Sequence, residues 1–274
     1  MQLKLADWII ALQVRPANLA AAVAQRYAAF ACTSSGAPDI MIDVQQEDPS
    51  VRTRNSATIL QAPLTSVGEG YLLDAPQFYG MIATSREQAT LRMRSDDPAR
   101  EVEYFLRIVL AFSALQRDGL LVHCAALKRK HLVQLFVGQS GSGKSTIVAL
   151  STSAGKAAAL GDDLIVLRRS GSGWRAHGTP FWNLETTARE SQVESGPVGG
   201  IYKLVQDRVV FVESVRPVVA AAELVANCPI VNDQPALLPV LVDRCRDIAA
   251  AIPIRRLHFR KDDTFWNVIP EGAP

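Results

Sequence analysis

Leu132-Val133-Gln134-Leu135-Phe136-Val137-Gly138-Gln139-Ser140-Gly141-Ser142-Gly143-Lys144-Ser145-Thr146 is the stretch that decides the fold. Six largely apolar residues with β-branched members predict a buried strand over 132–137. The strand runs directly into a glycine-rich turn, and the following residues, through Ser153, favour a helix. Gly138, Gly143, Lys144 and Ser145 fall at the Gly-x4-Gly-Lys-Ser/Thr spacing of a P-loop. The pattern has a physical basis. Glycines let the backbone curl so that the N–H groups of residues 139–145 face phosphate oxygens, the lysine supplies charge, and the hydroxyl supplies a metal ligand. A plain glycine-serine turn has no use for a lysine at that one position. Gly138, Gln139, Ser140, Gly141, Ser142, Gly143, Lys144, Ser145 and Thr146 are therefore the candidate nucleotide-binding residues, with ATP and Mg²⁺ as the expected cofactors.

Working outward, Leu120–Leu127 reads as another buried strand. The basic turn Lys128-Arg129-Lys130-His131 joins it to 132–137 as a hairpin. Downstream, Ala157-Ala158-Ala159-Leu160-Gly161 leads into Asp162-Asp163, two carboxylates at the end of an apolar segment, where a metal-binding acid of a nucleotide site belongs. Gly161 permits the bend that would aim them differently. Leu164–Arg168 and Trp174–His177 flank Ser170-Gly171-Ser172-Gly173 as a second hairpin. His123 lies within the first strand, and a lone strand histidine is more often a core residue than a catalytic one.

The remainder bounds the answer. The 274 residues suit two modest domains, with a soft boundary near 116. The first, 1–116, reads as a smaller α+β domain: a helix over 17–30 with Asn18 as N-cap, a strand at Asp39–Val44, further short strands to Arg94, and a helix from Pro98 to about Gln116. The second, 117–274, reads as α/β with a mixed sheet. Lys and Arg exceed Asp and Glu by two, 29 against 27, so nothing calls for a nucleic acid or an acidic membrane as partner. Cys32, Cys124, Cys228 and Cys245 stand singly, without metal-ligand spacing, and read as reduced thiols. The apolar patch around Trp8–Leu12 is far too short for a signal core or membrane span, and a cytoplasmic location is expected.

His123, the loop at Gly138–Ser145 and Asp162-Asp163 occur in the order and spacing of the HPr serine kinase family and its phosphoenolpyruvate carboxykinase-like relatives, which this chain resembles over roughly residues 120–170. The resemblance implies a P-loop kinase fold and transfer of the ATP γ-phosphate to a hydroxyl, such as Ser or Thr of a peptide or protein. It implies Lys144 as a catalytic cation, Asp162 as general base with His123 close enough to tune it, and Asp163 and Ser145 on the metal side, although the division of labour between the two aspartates stays open. Thr146 replaces the Glu usual in bifunctional members, and the segment linked to their phosphorylase activity is missing. The chain looks more like the smaller HPr-kinase-related proteins, including peptide kinases of the lasso-peptide type, whose sequences end as Leu257–Arg260 and Asp263-Thr264-Phe265-Trp266 do here. A homo-oligomer is compatible with this resemblance.

Other segments invite functional readings. His177–Trp182 could wall an acceptor pocket, and Gly196–Gly200 could hinge a lid that brings Lys203 or Arg208 to phosphates. Arg244, Arg246, Arg255 and Arg256 are candidate cations, with no basis for choosing among them. Leu237, Leu238, Leu241, Val242 and Ile248 read as the core face of a C-terminal helix. A small-molecule kinase and a non-catalytic ATP-sensing or scaffold module remain rivals to peptide phosphorylation.

Overall fold

In the computed structural model the chain divides into two units, Met1–Ser113 and Ala114–Pro274. The structure describes residues 1–47, 59, 63–68, 70–75, 77–83, 87–171, 173–182 and 194–270. Each unit is built on a large mixed sheet.

In the first unit the described strands are β1 (Gln2–Leu5), β2 (Trp8–Arg15), β3 (Ala31–Cys32), β4 (Ile40–Gln46), β5 (Leu64–Val67), β6 (Gly70–Ala75), β7 (Phe78–Ala83) and β8 (Gln88–Met93). They lie in the order β3-β1-β2-β4-β8-β7-β6-β5, with β2–β4 and β4–β8 parallel. Ile40, Ile42 and Val44 alternate with more exposed neighbours, as a half-buried strand requires. The expected first helix is shorter than its composition suggested. α1 spans Ala17–Arg26 behind Pro16 as N-cap, so Asn18 lies within its first turn. Fully buried Tyr27 and Phe30 then pull the chain into a single 3-10 turn that feeds β3. The apolar patch at Trp8–Leu12 is a core strand, paired with β1 as a hairpin. The helix expected to run from Pro98 to about Gln116 is α2 (Pro98–Gln116), whose Phe105 and Phe112 meet Gly80 and Tyr71 of the sheet.

The second unit contains β9 (Gly119–Arg129), β10 (Leu132–Val137), α3 (Lys144–Ser153), β11 (Ala158–Gly161), β12 (Leu164–Ser170), β13 (Gly173–His177), β14 (Ser195–Gln206), β15 (Phe211–Ser214), α4 (Pro217–Val225), α5 (Leu238–Ala251) and β16 (Ile254–Phe259). Two long strands each pair with several others along their length. Residues 119–123 of β9 pair with β12 and 126–128 with β11, while 124–129 pair with β10. Residues 195–197 of β14 pair with β13, and 198–203 run parallel to β10. His123 is thus the last β9 residue on β12, and Cys124, the first on β10, faces Val137, the residue that precedes the glycine loop. The hairpin register, with Val137 opposite Cys124, is what brings that loop to His123.

Gly196–Gly200 is not a hinge. It lies inside β14, where absent Cβ atoms permit close packing: one on Gly199 would stand 2.6 Å from the Gln134 amide, and one on Gly196 2.8 Å from Val133. The C-terminal helix forms with Leu241, Cys245 and Ile248 buried, whereas Leu238 is exposed and Leu237 precedes the helix. Asp263–Asn267 is a 3-10 turn capped by Asp262. Phe265 and Trp266 pack there against Phe136 and the α3 residues Ile147 and Val148, and Trp266 donates its indole N–H to Ser151 Oγ at 3.0 Å. The aromatic ending is core, and it seats α3 beneath the loop. Among the described residues, no helix is long and apolar enough to cross a membrane.

Cys124 and Cys228 are fully buried, and their thiols are held well above the ordinary 9.0, the first by burial and the second by hydrogen bonding to Cys245 together with burial. Above pH 9 the unfolded chain releases these protons and the folded one does not, so stability must fall as pH rises. The expected slope is about 1.4 kcal/mol per pH unit per thiol. Lys144, whose ammonium burial lowers from 10.5, acts in the opposite sense below that value. Urea midpoints at pH 8 and 10 measure the fall, and a C124A/C228A variant should flatten it; an unchanged slope contradicts the assignment.

Candidate functional site

The glycine loop leaves β10 at Val137 and enters α3 at Lys144, as its spacing predicts. Gly141 and Gly143 have φ of +79° and +103°, in the left-handed region that disfavours side chains. Close approach fixes the other requirements. A Cβ on Gly138 would stand 2.5 Å from Ser142 Oγ, and one on Gly143 would stand 2.6 Å from the Phe259 ring tip. β14 adds a latch, since Gln206 Nε2 donates to Gly141 O at 2.9 Å. Gly143→Ala combines a strained φ with a ring collision. We expect it to cost about 1–3 kcal/mol, read as a lowered thermal midpoint.

Lys144 is buried, and its Nζ donates to Gly138 O at 2.7 Å and Gln139 O at 3.2 Å. Desolvation holds its pKa below the usual value, opposed by Cys124 and Asp163 nearby. Its ammonium therefore sits inside the loop, bonded to carbonyls that an incoming anion could replace. Ser142 Oγ is buried without a hydrogen-bond partner among the described residues. A glycine-rich turn at a helix start, with one ammonium and an unsatisfied hydroxyl, has the chemistry of an anion site.

Asp162 and Asp163 occupy the turn between β11 and β12. Asp162 is buried at 3% exposure. Asp163 carries His123: its Oδ1 lies 3.5 Å from His123 Nε2, and its main-chain O accepts from Cys124 N at 3.0 Å. The family resemblance set His123 beside Asp162; this contact is with Asp163. Thr179 holds the turn from below, its hydroxyl donating to Leu164 O at 2.6 Å and accepting from Phe181 N at 3.2 Å. His177 and Phe181 are buried beside it.

Several other candidates are engaged in ion pairs. Arg244 binds Asp118, Arg246 binds Asp243, and Lys203 and Arg256 share Glu223 Oε1 at 3.2 and 2.9 Å. Sequence reading missed α4 and, just beyond it, Asn227, whose Oδ1 accepts from Gly138 N at 3.2 Å. It also missed a cavity of about 140 Å³ beside the start of α3, lined by Gly143, Thr146, Gln206, Asp207, Phe259, Arg260 and Lys261. A larger open groove of about 670 Å³ lies on the first unit's sheet, lined in part by Arg15, Asp43, Tyr79, Arg92 and Arg94. It is bigger, but Arg15–Asp43 and Arg94–Glu47 pairing leaves its charge largely satisfied, and the glycine loop carries the chemistry. Among the described residues, no three His, Cys, Asp or Glu side chains converge on a metal position.

No protein-family model matches the chain, and no curated protein matches it. Among solved structures, the Hpr(Ser) kinase/phosphatase from Coxiella burnetii is similar at 14% identity and a TM-score of 0.31, covering 51% of this chain and 85% of that one. An agreement so loose carries neither a family nor an activity.

Proposed function

We propose that the chain binds ATP with Mg²⁺ on Gly138–Thr146 and transfers the γ-phosphate to a hydroxyl, that of Ser or Thr in a peptide or protein. The observation that carries this reading is the placement of Lys144 Nζ on the loop's own carbonyls, within a turn whose Gly138 and Gly143 leave no room for a Cβ. Loop amides and Lys144 bind the phosphates, the lysine exchanging Gly138 O and Gln139 O for phosphate oxygens and meeting charge as it develops on the transferred group. The donor set suits Mg²⁺ arriving with the nucleotide, which needs only one or two protein oxygens and would find them in Ser145 and Asp163. Bound there, the ion would supply positive charge against the phosphates.

Asp162 accepts the proton from the acceptor hydroxyl as general base. His123 holds Asp163 in place through their 3.5 Å contact, a positioning role beside any influence on Asp162. The groove on the first unit is the acceptor-selecting surface in this reading, with Arg92 and Tyr79 available to a peptide.

The test is transfer from γ-labelled ATP with Mg²⁺ to Ser- and Thr-containing peptides by the full chain. Labelled acceptor supports the reading. Tight nucleotide binding with no acceptor labelled across peptides, proteins and small alcohols would replace it with a sensing module.

A further inference from the structure

We infer that Asn227 is a positioning residue that fixes where the glycine loop begins, an inference that rests on the nucleotide reading above for its functional consequence. Its side chain makes two bonds of opposite demand. Oδ1 accepts from Gly138 N at 3.2 Å, while Nδ2 donates to Glu223 O at 2.7 Å. Only a carboxamide satisfies both, and the pair fixes its orientation. The main-chain O of the same residue accepts from His123 N at 2.7 Å. One residue therefore ties the first loop amide to the strand that carries His123, and through it to Asp163.

The anchor itself is rigid. Glu223, one turn earlier on α4 and 8% exposed, accepts from Arg256 at 2.9 and 3.1 Å and from Lys203 at 3.2 Å. Lys203 stands in register with both Val137 and Arg256, so α4 is bolted to the strand ends that flank the loop. Gly138 is then held on both sides, its N–H by Asn227 and its C=O by Lys144. An arriving phosphate would displace the second bond and leave the first. Asn227 thus keeps that N–H turned away from the phosphates and restrains the glycine at which the loop begins. Ordering one freed residue costs enough to weaken binding about tenfold.

The experiment compares the parent with Asn227→Ala in two readouts. Amide exchange of residues 138–143 without nucleotide should accelerate about tenfold in the variant, and the affinity for MgATP should fall about tenfold. The tie to His123 is main-chain and survives, so kcat should change less than about threefold while KM rises. Should N227A fail to fold, N227D keeps an oxygen towards Gly138 and adds a charge, so its loss of affinity should be relieved at high salt. Unchanged exchange together with MgATP affinity within about twofold of the parent would overturn the inference. Accelerated exchange in a chain whose parent form binds no nucleotide would uphold the positioning and sink the nucleotide reading instead.

Discussion

Lys144→Ala is expected to lower kcat/KM for phosphotransfer by roughly 10²- to 10³-fold, the loss typical of removing one preorganised charge from the transferred group. The expectation follows from the site's construction. The ammonium is 8% exposed, and among the described residues its hydrogen bonds go to two loop carbonyls and to no carboxylate. Its folded-state burial is a cost, visible as a lowered pKa. Removing it should therefore leave the thermal midpoint without nucleotide unchanged or slightly raised. Loss of activity with retained stability is the signature of a group kept for function. A variant that kept activity within about tenfold of the parent would remove Lys144 from the mechanism.

Asp162→Asn should cut kcat by roughly 10²- to 10⁴-fold, the usual contribution of a general base, while leaving MgATP affinity within about threefold. The buried turn that holds it is braced by Thr179 on Leu164 O, so the near-isosteric amide should be accommodated. Asp163→Asn should behave differently, since its carboxylate meets His123 and lies in the field of Lys144. It should raise the Mg²⁺ concentration needed for half-maximal rate. If Asp163→Asn abolished transfer and Asp162→Asn only weakened the Mg²⁺ dependence, the two roles would be exchanged.

What the sequence disclosed and what it concealed divide along physical lines. Leu132–Thr146 was legible because a strand, a glycine turn and a helix there all obey local rules, and the hairpin with Leu120–Leu127 follows from adjacent apolar runs. Asp162-Asp163 was legible as a turn after a strand. The pairing of β12 with β9 was not, because pairing is a tertiary choice that leaves no periodic mark, and its register, Leu164 opposite His123, sets Asp163 beside that histidine. Gly196–Gly200 misled for a related reason: glycines needed for close strand packing have the composition of a hinge. Asn227 lies 89 residues beyond the Gly138 amide it holds, and a single asparagine after a helix carries no signal that distance can reveal. Phe265 and Trp266 looked like a family ending, and they are the buried seat of α3.

The central claim is that Gly138–Thr146 is the nucleotide site. Its most direct measurement is titration of the full chain with MgATP while the amide resonances of those residues are followed. A nucleotide site there requires saturable shifts concentrated in residues 138–146, matched by calorimetric binding and strongly weakened in Lys144→Ala. Saturable binding that left those amides unmoved, or no binding at millimolar nucleotide, would contradict it.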